Sequence, residues 1–96
     1  MKHTWNDEKA AKVKAGHKVE FEKLVDVFDD VFALDFIDEE HSTVDEIRYA
    51  VIGKTAEYGM IYLVYASISP NELRFITARK AEKWMVSFYR ESNAKH

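Results

Sequence analysis

The sequence predicts an α+β fold, an antiparallel β-meander with helices packed on one face. Three observations predict it. Strand-like stretches follow one another in the second two thirds of the chain, joined by short turns, which favours antiparallel neighbours. Segments near both ends have helical spacing with a single apolar stripe, so each helix has one face to bury. The 96 residues are 47% hydrophobic and 14% aromatic, enough for a core and too apolar for disorder. The whole chain, 1–96, is read as one domain.

The elements follow in the order β-α-α-β-β-β-β-α. Lys2 to Trp5 is a short edge strand. Asn6 or Asp7 caps the first helix, Asp7 and Glu8 suit its first turn, Lys12 and Lys14 its last, and Gly16 is the stop signal. A second helix is expected from about Glu20 to Asp29, where Phe21, Leu24, Val25 and Phe28 give the i, i+3, i+4, i+7 stripe. Phe32 to Ile37 is a strand, and Asp38-Glu39-Glu40-His41-Ser42 a polar loop. Ile47 to Thr55 is a strand broken near Gly53. Ala56 to Gly59 turns into Met60–Ser67, the most β-like segment, and Ser69-Pro70-Asn71 is the next turn. The last strand opens at Leu73 and gives way to a helix capped by Thr77 and ending near Glu91.

Composition excludes several functional classes. There is no cysteine, which rules out a disulfide scaffold or a thiolate metal site and suits a reducing cytoplasm. Met1-Lys2-His3-Thr4-Trp5 lacks the apolar run of a signal peptide, and the longest apolar run, Met60 to Ala66, is strand-sized; a soluble cytoplasmic protein without membrane contact is expected. Net charge is −3, but it is unevenly spread. Residues 1–48 hold 7 Lys/Arg and 13 Asp/Glu, a net of −6, whereas residues 49–96 hold 7 and 4, a net of +3. Strong non-specific nucleic-acid binding is therefore not expected, while a small RNA site in the basic half is compatible with the charge.

The most informative stretch is Leu73-Arg74-Phe75-Ile76-Thr77-Ala78-Arg79-Lys80-Ala81. With Thr77 as a cap, Arg79 and Lys80 fall in the first helical turn, where the macrodipole disfavours cations. Cations beside free backbone N–H groups can hold a phosphate, so anion binding is one reading; solvated surface charge is the other.

The chain resembles the BrnT toxins, small members of bacterial type II toxin–antitoxin pairs with a fold similar to the RelE ribonucleases. The resemblance rests on Trp5 and Lys9; His17, Val19 and Phe21; Val27-Phe28-Asp29-Asp30; His41-Ser42, Glu46 and Arg48; Ile52-Gly53; and Arg74-Phe75-Ile76-Thr77-Ala78-Arg79 with Tyr89. Members usually carry Lys-His-Gly where this chain has Gly16-His17-Lys18, and an acidic residue where it has Met85.

The resemblance implies a metal-independent endoribonuclease that inhibits translation, with no cofactor. It also implies a BrnA-like ribbon–helix–helix antitoxin as partner, a heterotetramer, and contact with DNA only through that antitoxin. The acidic 26–46 region and apolar sheet edges are plausible antitoxin contacts. A non-catalytic interaction module that keeps the fold is the alternative.

Attack of a 2′-oxygen on the adjacent phosphate needs a base, a cation and an acid. Arg79 and Arg74 are the candidate phosphate ligands, since a planar guanidinium meets phosphate oxygens bidentately. They are five apart, hence on opposite faces if one regular strand runs through both. Glu46 and Arg48, two apart, share a face; Glu46 is a base or an orienter of arginine, or the pair is a surface salt bridge. His17 and His41 are candidate acids, although loop histidines are often incidental. Lys9 is a candidate RNA contact, as is Tyr89, which equally fits a core stripe with Ala81, Met85 and Phe88. No metal site is expected: Asp38, Glu39, Glu40 and His41 resemble a ligand set only as a solvated acidic loop does.

Overall fold

The computed structural model describes residues 1–94 as strand β1 (Lys2–Trp5), helix α1 (Asp7–His17), two 3-10 turns (Phe21–Lys23 and Val25–Asp29), strands β2 (Leu34–Ile37), β3 (Arg48–Thr55), β4 (Gly59–Ser69) and β5 (Glu72–Lys80), and helix α2 (Lys83–Ala94). The strands form one mixed sheet in the order β1-β5-β4-β3-β2. β2 to β5 make the expected antiparallel meander, whereas β1 lies parallel to β5 at the far edge. The α+β class and the β1 edge position follow the sequence reading; a parallel pair had no signature in it.

Side-chain alternation divides the sheet into two faces. On the core face Val51, Ile61, Leu63, Tyr65, Phe75 and Ala78 pack with Val13 of α1 and with Val19, Phe21, Leu24 and Val27. Trp5, Phe21, Phe28, Tyr65 and Phe75 form a chain of aromatic contacts through this layer. The opposite face carries Ala50, Ile52, Tyr62, Val64 and Ile76. There Met85 and Tyr89 of α2 close over Ile52. The helices thus lie on both faces, not one, because the stripe of α2 fits the apolar end of the second face. Met85 is fully buried in that contact, so it is a core residue.

Four local expectations are corrected. The Glu20–Asp29 stripe is real, but it forms two 3-10 turns meeting at Leu24. Leu24 and Val27 are buried all the same. The strand through Gly53 is unbroken. A Cβ there would come within 2.8 Å of Val27 Cγ2 and 2.9 Å of the Ala33 Cβ, so the glycine serves close packing of the 3-10 turns onto the sheet. Helix α1 runs past Gly16 to His17, and Lys18 takes the left-handed cap position at φ 61°.

Thr77 does not cap a helix, and the last correction follows from that. β5 continues to Lys80 because β4 is long enough to pair with it throughout, and a β-branched Thr suits a strand as well as a cap. Glu82 begins the helix instead, its carbonyl accepting from the N–H groups of Met85 and Val86.

Candidate active site

The strand that displaces the helix cap also places the arginines. Val64 pairs with Thr77, but Tyr65 pairs with Phe75, leaving Ile76 as one extra residue on β5. Such a β-bulge shifts the alternation by one. Arg74 and Arg79, expected on opposite faces of a regular strand, therefore emerge on the same face, opposite Ala66 and Tyr62. Arg48 pairs with Ala66 from the other side. The two arginines flank a side chain of one carbon.

Glu46 spans that gap. Its Oε1 accepts from Arg48 Nε at 3.0 Å and its Oε2 from Arg74 Nη2 at 2.7 Å. The Arg48 hydrogen bond, with Arg74 beside it, outweighs desolvation and holds the Glu46 carboxyl below its ordinary range. A carboxylate so stabilised is a weak base at neutral pH and a good orienter of guanidinium groups. Arg79 lies over the Tyr62 ring, 5.3 Å from its centroid, with Glu82 3.4 Å from its Nη2. Its Nε is buried and, among the described residues, has no acceptor.

The loop before β3 is folded onto this face by its own polar groups. Asp38 N–H donates to the Arg48 carbonyl at 2.8 Å, Ser42 Oγ donates to the Asp38 carbonyl at 2.7 Å, and Arg48 N–H donates to Ser42 Oγ at 2.8 Å. Asp38 is 7% exposed, so the acidic run is not wholly a solvated loop. Its Oδ2 accepts from His41 Nδ1 at 2.7 Å and from the Tyr62 hydroxyl at 3.0 Å; Oδ1 accepts from His41 N–H at 3.2 Å. Burial pushes the Asp38 carboxyl up, but the hydrogen bonds from His41 and Tyr62 outweigh it and leave it below the usual carboxylate range. Burial and the Asp38 bond push the Tyr62 hydroxyl up to about 12. Asp38, Glu40 and His41 each bring a possible ligand atom within 4.8 Å of the others, but both Asp38 oxygens already accept hydrogen bonds.

His17, Glu40, His41, Tyr62, Thr77, Ala78 and Arg79 line a cavity of about 290 Å³. A second, of about 310 Å³, is lined by Lys9, Lys12, Val13, His41, Arg48, Ile76 and Thr77. His41 and Thr77 border both, so the two form one cleft between α1, β5 and the 38–46 loop. A larger hollow of about 450 Å³ lies against Tyr49, Tyr65 and Leu73 on the core face and has Asp35 as its one charged lining group.

Of the residues singled out from sequence, His17, His41, Arg48, Arg79 and Lys9 line the cleft, and Glu46 and Arg74 join it through Arg48. Tyr89 does not. It is buried with Ile52 and Met85, and its hydroxyl donates to Asp30 Oδ2 at 2.8 Å. Asp38, Tyr62 and Lys12 were missed. The bulge has a faint sequence signal: Leu73 and Phe75 are two apart, but the next core-face residue, Ala78, is three further on.

Arginines, lysines and two imidazoles thus gather in one cleft on a small sheet, a set of groups able to bind a phosphate and to exchange protons. Residues 5–84 match the family described as the ribonuclease toxin BrnT of type II toxin–antitoxin systems, and the chain belongs to that family. Its fold is similar to the crystal structure of the Brucella abortus ribonuclease toxin BrnT, at 24% identity and a TM-score of 0.67 over 86% of this chain and 99% of that one. No curated protein matches the chain. Among the described residues no helix is long and apolar enough to cross a membrane.

Proposed function

We propose that this toxin is a metal-independent endoribonuclease that arrests translation by cutting RNA through attack of a 2′-oxygen on its own phosphate. The observation that carries the reading is the bulge-made alignment of Arg74 and Arg79 on the face that also bears Arg48 and His41. In the reaction the 2′-oxygen gives up its proton and bonds to phosphorus. The bond to the 5′-oxygen breaks and that oxygen takes a proton, leaving a 2′,3′-cyclic phosphate and a 5′-hydroxyl. Arg79 and Arg74 bind the phosphate and stabilise the charge that grows on it. A turn of the Arg79 guanidinium toward a phosphate oxygen would also satisfy its buried Nε, whose unmet hydrogen bond costs about 1–3 kcal/mol. His41 and His17 exchange the two protons, Glu46 orients Arg48 and Arg74, and Lys9 with Lys12 guides the RNA backbone. The partner is a BrnA-like ribbon–helix–helix antitoxin in a heterotetramer, through which alone the toxin reaches DNA; the protein acts in the cytoplasm.

A second reading, an interaction module without catalysis, is favoured by one observation. Arg48 and Arg74 already share the Glu46 carboxylate, which offsets one of their two charges. Induction of the wild type and of Arg74→Ala/Arg79→Ala separates the two, with growth and cleavage of purified RNA in EDTA as readouts. The wild type is expected to slow growth and cut RNA in EDTA, and the double variant to lose at least 100-fold in rate. A wild type that does neither leaves the interaction module standing. Cleavage that survives the double variant overturns the site, and cleavage abolished by EDTA overturns metal independence.

A further inference from the structure

Asp38 is a buried carboxylate bonded to two residues that line the cleft, His41 and Tyr62, and the reaction as written gives it no part. It holds His41 by two bonds: Nδ1 at 2.7 Å to Oδ2 and the backbone N–H at 3.2 Å to Oδ1. Tyr62, from the middle of β4, donates to the same Oδ2 at 3.0 Å, so the carboxylate is pinned to the sheet and not merely to its own loop. A third tie is the backbone, where Asp38 N–H and C=O bond to Arg48 O and Ser42 Oγ. An ionised carboxylate accepts and cannot donate, so the proton in the short contact belongs to His41 Nδ1. The ring is then fixed in both orientation and tautomer, and Nε2 is its free nitrogen.

We propose that Asp38, held by Tyr62, is the positioning residue for His41: it keeps the proton on Nδ1 and leaves Nε2 as the atom that exchanges a proton with substrate. The proposal rests on the ribonuclease reading for its catalytic half only. A carboxylate behind an imidazole is a recurring way to fix the reactive nitrogen, and its loss costs rate more than binding. Tyr62 links the two halves of the site, since its hydroxyl holds Asp38 while its ring carries the Arg79 guanidinium. The histidine that moves the proton and the arginine that meets the phosphate are thereby referenced to one side chain.

The test combines nitrogen-15 NMR of the histidine rings with kinetics. In the wild type at neutral pH, His41 is expected to show a protonated Nδ1; a bare Nδ1 with the proton on Nε2 overturns the proposal without need of any variant. Asp38→Asn is expected to shift the His41 ring nitrogens away from that pattern and to lower kcat 10- to 100-fold with KM within about threefold. Tyr62→Phe, which leaves the carboxylate in place, is expected to lose less than Asp38→Asn. His41→Ala combined with Asp38→Asn is expected to be no slower than His41→Ala alone; losses that multiply mean that Asp38 acts independently of His41. Asp38→Asn within twofold of wild-type kcat also overturns the positioning role. If the wild type cuts no RNA, the ribonuclease reading falls and the catalytic half with it, while the tautomer measurement still decides the geometric half.

Discussion

Lys18 shows how one side chain can be wrong for its backbone and still be tolerated. At φ 61° it closes α1, its N–H donating to the Lys14 carbonyl at 3.1 Å. A Cβ in the left-handed region is disfavoured, and the usual family order puts glycine at this position. The ammonium, reaching the Ala15 carbonyl at 2.9 Å, is solvent-exposed and offsets little. Lys18→Gly is therefore expected to stabilise the protein by about 1 kcal/mol. In a domain of this size that raises Tm by about 4–8 °C, which calorimetry would detect. No rise, or a fall, would mean that the lysine makes a compensating contact. Most of the catalytic candidates were legible at this scale because arginine, histidine and glutamate announce their chemistry by type. Asp38 was not, since an acid among acids reads as solvated until its burial is known.

Among the elements, β5 decides where the site lies. Its pairing with β4 continues past Thr77, so the tertiary partner overrides a residue that locally suits a helix cap. The same strand turns the five-residue spacing of Arg74 and Arg79 from an objection into an alignment, through one unpaired residue at Ile76. Removing Ile76 should let the ladder close regularly with Arg74 and Arg79 four residues apart, still on one face. The expected result is a sheet still seen by far-ultraviolet circular dichroism and RNA cleavage within about tenfold of the wild type. A deletion variant that folds but no longer cleaves would show that the bulge does more than align the arginines. The strands themselves were legible from alternation, since β2 to β5 lie within a few residues of expectation. The Glu20–Asp29 stripe misled because two 3-10 turns can bury the same residues that one helix would.

Across the whole molecule, two aspartates, the half-buried Asp30 and the buried Asp38, tie distant segments together. Asp30 accepts from Lys54 N–H at 2.9 Å, Phe32 N–H at 2.9 Å and the Tyr89 hydroxyl at 2.8 Å, joining the 3-10 turns, β3 and α2. Asp38 joins the loop to β4. Burial pushes the Asp30 carboxyl up, but the backbone hydrogen bonds and the Tyr89 hydroxyl outweigh it, so it too lies below its ordinary range. A carboxyl lowered by folding stabilises the protein above its unfolded value near 3.9, and that contribution is lost as pH falls through the folded value. Stability should thus hold down to about pH 4 and drop below it. Asp30→Asn should be clearly less stable than wild type at pH 7, with the gap narrowing as pH falls below about 4. A gap constant from pH 7 to pH 2 would remove Asp30 from the acid transition. None of these long-range ties was visible in the sequence, because nothing local marks an aspartate whose partners lie 24 and 59 positions away.

The unpaired Ile76 has a genetic consequence. From Arg74 to Arg79 the strand uses five residues for four steps of the ladder. A toxin gene that loses the Ile76 codon should therefore stay toxic, because four residues over four steps keep both arginines on one face. Loss of a second codon from the same interval should silence it, since a spacing of three puts the arginines on opposite faces. Revertants selected for regained toxicity should then regain one codon within that short interval.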